Sequence, residues 1–361
     1  MTERLGHERQ ARRDQDVAAF RERRLEPRFK DTPQVPVVMA DAGKVQTRAD
    51  DGKPGVREPQ WKDEKVGILA NYPKPEIPID YQPEPPAAFL DRTNVPRLCA
   101  ELERVGKHEP VKASPSEKGK KAPAGKAETT RKTIQSPKPL MRTTVATMGP
   151  LELFGLILAT EAHLRNFYSA ARGAIIGDGA VWIDSLAKTH FDGWVRILDF
   201  LHLLAHVWAA ACAAFPASSK HAWDLYVTLI RLAWSGKVED LLEELHRHRR
   251  RIGEPAEGVG EKDPRAVLVA NIRYITENRS SMDYPAYRRA GFPVTSALVE
   301  SGIKQYNRRV KGTEKFWRRD GVEAVLQVRA AHLSEDDRAK RHFENRPRAH
   351  HAGGPRFRKP A

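Results

Sequence analysis

Cysteine is nearly absent. Cys99 and Cys212 are the two in 361 residues, they sit in unrelated contexts, and they make neither a disulfide framework nor a zinc knuckle. Also missing is any uncharged apolar run of membrane-spanning length, which argues against a membrane partner. Met1 to Lys30 is charged throughout and lacks the apolar stretch of an export signal, so the cytoplasm is the expected compartment. With 40% hydrophobic content in 40.7 kDa, the chain can bury one large core or two modest ones.

Acidic charge is in deficit: the formal net charge is +15. Where the excess sits matters more than its sum. Residues 106–142 carry ten Lys/Arg against three Glu, and residues 338–361 carry eight against one. Both segments have little to bury and are expected to be disordered. The rest is close to neutral although residues 303–319 hold seven Lys/Arg against one Glu, so acidic ground lies elsewhere. A cationic helix beside an anionic site suits a polyanion held over metal-binding carboxylates. Basic tails that only keep the chain soluble account for the same sum equally well.

Along the chain, residues 1–34 form a short basic segment with a mostly exposed helix. Residues 35–200 read as the first part of an α/β core. It starts with a meander from Val35 to Tyr72 that turns at Asp41-Ala42-Gly43 and again at Asp50 to Gly55. The basic insertion follows, then a helix from Leu151, a strand-like run from Ala174 to Ile183 and a strand from Trp194 to Asp199; helices alternating with strands imply parallel pairing. Residues 201–293 show only helical pattern and read as an inserted subdomain. Residues 294–335 supply closing core helices, and 336–361 a disordered basic tail.

Asp178 ends an apolar run between Gly177 and Gly179, where glycine permits close approach, and Asp41 lies in a similar upstream run. Glu300 would reach in from a helix packed on the sheet. Three such carboxylates suit two Mg²⁺ (or Mn²⁺) ions, which need several hard oxygen ligands. His202 and His206 lie one turn apart, yet without an intervening glutamate or a third ligand zinc is not expected. Lys304, Arg308, Arg309, Lys311 and Lys315 follow Glu300 as candidate phosphate contacts, with Trp317 available for base stacking.

Several strings fall in order along the chain: Ala40-Asp41-Ala42-Gly43-Lys44-Val45-Gln46-Thr47-Arg48, Trp61-Lys62-Asp63-Glu64-Lys65-Val66, Gly177-Asp178-Gly179-Ala180-Val181-Trp182-Ile183, Leu198-Asp199-Phe200-Leu201-His202 and Val299-Glu300-Ser301-Gly302-Ile303-Lys304. With Met282-Asp283-Tyr284-Pro285-Ala286-Tyr287-Arg288 and the stretch from Arg308 to Trp317, they resemble the landmarks of bacterial insertion-sequence DDE transposases, of the ISKra type within the Mutator-like group. The resemblance runs from about Val35 to Leu333. It implies a ribonuclease H-like mixed sheet flanked by helices, with an all-helical insertion before the final catalytic helix. It further implies that Asp41, Asp178 and Glu300 are the DDE metal ligands, with Asp199 and His202 in support. The implied reaction is Mg²⁺-dependent cleavage at the element's terminal inverted repeats followed by strand transfer to target DNA, in a homo-oligomeric synaptic complex. Where the family has Gly-Ser-Gly before the glutamate, this chain has Val294-Thr295-Ser296-Ala297-Leu298, and Thr295 or Ser296 is expected to cap the helix. Two rival readings are a truncated, inactive remnant that only binds DNA, and a metal-dependent nuclease without strand transfer.

Overall fold

The computed structural model describes residues 2–48, 59–107, 136–217, 219–311 and 317–345. Most of the basic insertion, the far end of the tail and Lys315 lie outside them. The central element is β1, Val35–Arg48, which runs unbroken through Asp41 and pairs antiparallel with β2, Pro59–Tyr72, from Val35 opposite Tyr72 to Arg48 opposite Pro59. The turn expected at Asp41-Ala42-Gly43 is therefore corrected. Gly43 lies opposite Glu64, and a Cβ there would come within 2.8 Å of Glu64 Oε1. The glycine makes room for a facing side chain instead of bending the strand.

On one side β2 pairs antiparallel with β3, Met141–Thr147; on the other β1 runs parallel to β4, Ala174–Gly177, which runs parallel to β5, Val195–Leu198. The result is a five-stranded mixed sheet in the order β3-β2-β1-β4-β5. Sequence reasoning missed β3, and Met141 and Arg142, assigned to the basic insertion, are its first residues. The strand expected to continue from Asp178 to Ile183 also stops early. Gly179 turns the chain at φ +83, Asp178 Oδ1 accepts the Ala180 N–H at 3.0 Å, and Val181 already starts helix α4.

Helices cover both faces: α1 (Thr2–Arg21), α2 (Asn94–Lys107), α3 (Leu151–Leu164), α4 (Val181–His190), α5 (Phe200–Ala214), α6 (Lys220–Trp234), α7 (Val238–Ile252), α8 (Pro264–Asn278), α9 (Tyr284–Arg289), α10 (Ala297–Val310), α11 (Arg319–Leu333) and α12 (Arg338–Glu344). Strand alternation sorts the core. Val37, Met39, Val66 and Ile68 meet α5 and α10 on one face, while Val38, Leu69 and Ile175 meet α3 and α4 on the other. Side chains of α6 to α9 join the first cluster without a break, so the helices expected as a separate insertion share the sheet's core. Among the described residues no helix is long and apolar enough to cross a membrane.

The chain's two ends are also held down. Gly6 of α1 lies against α11 so closely that a Cβ would meet the Ala324 backbone oxygen at 2.3 Å, and Val17 enters the second-face core. The segment from 336 to 344, expected to be disordered, instead forms α12 around a buried ion network. Arg338 Nη1 donates to Glu161 Oε2 at 3.0 Å and its Nε to Asp336 Oδ1 at 2.7 Å. Apolar residues are scarce there, so hydropathy could not reveal an element fixed by charge pairing. Removing one member of a buried pair strands the other, at a cost of about 3–5 kcal/mol. Arg338→Ala should therefore lower unfolding stability by about that much in urea titration; a loss below about 1 kcal/mol would mean the network contributes no more than a surface pair.

Candidate metal and nucleic-acid site

Sheet register brings two of the predicted carboxylates, Asp41 and Asp178, to the same end of the sheet. Met39 is paired with Ile176, and continuing that register two residues sets Asp41 abreast of Asp178, on the face occupied by α5 and α10. Asp178 follows the last residue of β4, and the Tyr274 hydroxyl of α8 fixes its carbonyl at 2.7 Å. Glu300 lies in the first turn of α10, a helix packed across β1 and β2. Burial pushes the Asp41 carboxyl up to about 6, with the Asp178 charge adding to the effect. Glu300 is pushed to about 7 by burial and by Asp199 and Asp41.

Asp199 is the positioning residue. Fully buried at the end of β5, it caps α5: Oδ2 accepts the His202 N–H at 3.2 Å and Nδ1 of its ring at 2.5 Å. Its Oδ1 accepts the Ser296 N–H at 2.7 Å, at the start of α10. One carboxylate thus joins the two helix starts that present His202 and Glu300. The expected Thr295 or Ser296 side-chain cap is not made; Ser296 Oγ instead donates to Glu300 Oε1 at 3.4 Å. Burial disfavours charge on both partners, yet their mutual hydrogen bond prevails. Asp199 is held below the ordinary carboxylate range and His202 is raised to about 9, with help from the charges of Asp178 and Glu300. His202 is a cation at neutral pH. His206 is engaged elsewhere, bonded to Asn271 at 2.7 Å and stacked on Tyr274.

Tyrosines of the helical segment hold β5. Tyr284 donates to the Leu198 carbonyl at 3.0 Å and Tyr287 to that of Arg196 at 3.3 Å. Phe200 sits edge-on to Tyr284 and Trp234 beside them. The Tyr284-Pro285-Ala286-Tyr287 string thus supports the strand from which Asp199 emerges.

Sequence reasoning quoted Glu64 without giving it a role. It is 0% exposed on β2, shares the face of Asp41, and neither carboxylate oxygen has a hydrogen-bond partner among the described residues. Burial raises it to about 7, with Lys311 opposing and Asp41 reinforcing. Nothing along the chain marked it, because its place opposite Gly43 is a matter of cross-strand register.

Among the described residues, Asp199, His202 and Glu300 form a group whose ligand atoms lie within 4.8 Å of one another and could hold a metal ion. Asp199 already accepts three hydrogen bonds and His202 Nδ1 is committed to it, which leaves Glu300 the freest donor of that group. The basic residues divide by location. Lys304 pairs with Glu101 of α2 at 2.6 Å, Arg308 and Arg309 are exposed, and Lys311 turns toward Glu64. Trp317, partly buried, packs on the core and donates its indole N–H to the Val310 carbonyl at 2.7 Å. No family model and no curated protein matches the chain.

The pH dependence of stability follows from these shifts. Carboxyls raised by folding stabilise while protonated, a contribution complete below about pH 4 and lost as pH rises to 6 and 7 for Asp41, Glu64 and Glu300. His202 acts in the same direction, losing its contribution between its ordinary value and about 9. Below about pH 4, protonation of Asp199, Glu161 and Asp336 reverses the trend. The metal-free protein should therefore melt at progressively lower temperature from pH 5 to pH 9. Glu64→Gln should raise its stability at pH 8 by about 1–2 kcal/mol; a loss there would mean the carboxylate has a stabilising partner.

Proposed function

We propose that the chain is a DDE transposase that cleaves DNA at the ends of an insertion sequence and joins the freed 3′ end to target DNA. What supports this reading is that Asp41 interacts electrostatically with both Asp178 and Glu300, although 137 and 122 residues separate the three in sequence; among the described residues the ligand atoms that cluster within 4.8 Å are those of Asp199, His202 and Glu300. The mixed sheet, with Asp41 in its first strand and Asp178 at the tip of the neighbouring parallel strand, supports a ribonuclease H-like reading of the fold. The helices between β5 and α10 occupy the place of the family's insertion.

The donors fit hard divalent cations. They are carboxylate oxygens, and Asp41 and Glu300 are raised toward neutrality by burial and like charge, a frustration that Mg²⁺ or Mn²⁺ relieves. Asp41, Asp178 and Glu300 would hold the metal. When bound, two such ions polarise the scissile phosphate and ease deprotonation of the attacking water or 3′-hydroxyl. The chain's own groups orient the substrate. His202, its Nδ1 fixed by Asp199, keeps Nε2–H to donate to a phosphate oxygen, and exposed Arg308 and Arg309 offer charge to the adjoining backbone. Gly177 and Gly179 make room at the tip of β4 for the protein's own Ile183, Leu198 and Asn278 side chains.

In the test, purified protein is incubated with Mg²⁺ and duplex DNA carrying the element's ends, and cleaved and joined products are resolved on sequencing gels. Asp178→Asn should cut cleavage at least about 10³-fold. Asp199→Asn should lower it about 10–100-fold. Cleavage that Asp178→Asn leaves unchanged would sink the site. Cleavage without joining of a pre-cleaved end would leave a nuclease, and end-specific binding without cleavage would leave a DNA-binding remnant.

A further inference from the structure

Between α1, α3, α11 and α12 lies a second feature, an open cavity of about 630 Å³ that none of the site's carboxylates lines. Its charge is opposite to that of the site: seven arginines and His342 against three carboxylates. Those carboxylates, and the acids behind them, are already committed. Glu161 and Asp336 bind Arg338, and Asp16 is shared by Arg12 and Arg28.

Arg9 is left over. Projecting from α1 between Arg28 and Arg338, it makes no hydrogen bond or ion pair among the described residues, and its Nε is sealed from solvent without a partner. On the opposing helix α3, Thr160 is 3% exposed and its hydroxyl is likewise unpartnered. Each such group costs free energy in the empty protein, about 1–3 kcal/mol where a neutral donor is left unmade and more for a charged one. A ligand that only accepts hydrogen bonds and carries more than one negative charge would satisfy both and separate the arginines. Phosphate fits that description, since its oxygens match the guanidinium fork. The volume lies in the range of small-molecule sites and exceeds what inorganic phosphate alone would fill, and Val17, Ile157 and Leu164 give the cavity an apolar wall.

We propose that this cavity binds a small phosphate-bearing ligand of about nucleotide size, with Arg9 and Thr160 as its inner contacts. The site is built by the docking of α1, so occupancy would also lock α1 against α3 and α12. It requires neither the metal chemistry nor the transposase reading.

The experiment measures binding by calorimetry and thermal melting of the full chain in phosphate-free buffer with EDTA, which removes any route through the carboxylate site. The probes are pyrophosphate, ATP and a 5′-phosphorylated single-stranded oligonucleotide. ATP or pyrophosphate should bind with one-to-one stoichiometry and raise the melting temperature. Arg9→Gln and Thr160→Val should each weaken binding about tenfold, or roughly 1.4 kcal/mol. Because Arg9 has no protein partner, Arg9→Gln should melt no lower than the parent without ligand, which separates lost binding from lost folding. Three outcomes would overturn the proposal: no binding of either small anion, equal binding by the Arg9 variant, or binding of the oligonucleotide alone.

Discussion

The carboxylate of Asp199 is the point on which the site's geometry rests. It is fully buried where β5 ends, and it spends its oxygens on the start of α5 and the start of α10. Those helices come from sequence positions nearly a hundred residues apart, and apolar packing alone would let them slide. A charge-assisted hydrogen bond in low dielectric does not, because a misplaced N–H would leave a buried charge unsatisfied. Tyr284 and Tyr287 hold the strand from which Asp199 emerges, so the helical segment acts as a clamp on the site.

That rigidity serves an arrangement with poor electrostatics. Asp41, Glu64 and Glu300 all sit above their ordinary range because burial and neighbouring acids disfavour ionisation. A shift of two pKa units corresponds to about 3 kcal/mol, a large part of a typical domain's net stability. Sites of this kind persist only where the surroundings over-determine them. Here the surroundings are a first-face core that runs from β1 into α8, together with buried pairs such as Arg338 with Glu161.

Much of this was legible in the sequence for identifiable reasons. Asp178 was singled out because it ends an apolar run between two glycines, Glu300 because it lies on a helix expected to pack on the sheet, and Asp199 through the resemblance. The parallel neighbours β4 and β5 and the helices from Ala222 to Asn278 followed from periodicity. Asp41 was found for a mistaken reason: it was placed at a strand end beside a turn, whereas β1 carries it in mid-strand. Gly43 punctuates the sequence but answers to Glu64 across the pair, and cross-strand register is invisible along one chain. β3 was lost because its Met141-Arg142-Thr143-Thr144 start abuts a lysine-rich stretch. The helix at Arg338 was lost because ion pairs, not apolar residues, hold it.

Helix α10 ties the two kinds of charge together. It starts at the carboxylates with Glu300 and ends with Lys311 turned inward toward Glu64, which leaves Arg308 and Arg309 facing out. Eight helical residues from Glu300 to Arg308 rise about 12 Å. One strand of B-form DNA advances 3.4 Å per phosphate, so on the DNA reading Arg308 would meet the backbone about three or four nucleotides from the scissile phosphate. Lys311 differs from them: its half-buried ammonium interacts with the charge of buried Glu64, and burial lowers its pKa. The basic run after Glu300 is therefore two populations: exposed arginines near the end of α10, and one half-buried lysine whose charge opposes that of the buried acid on β2.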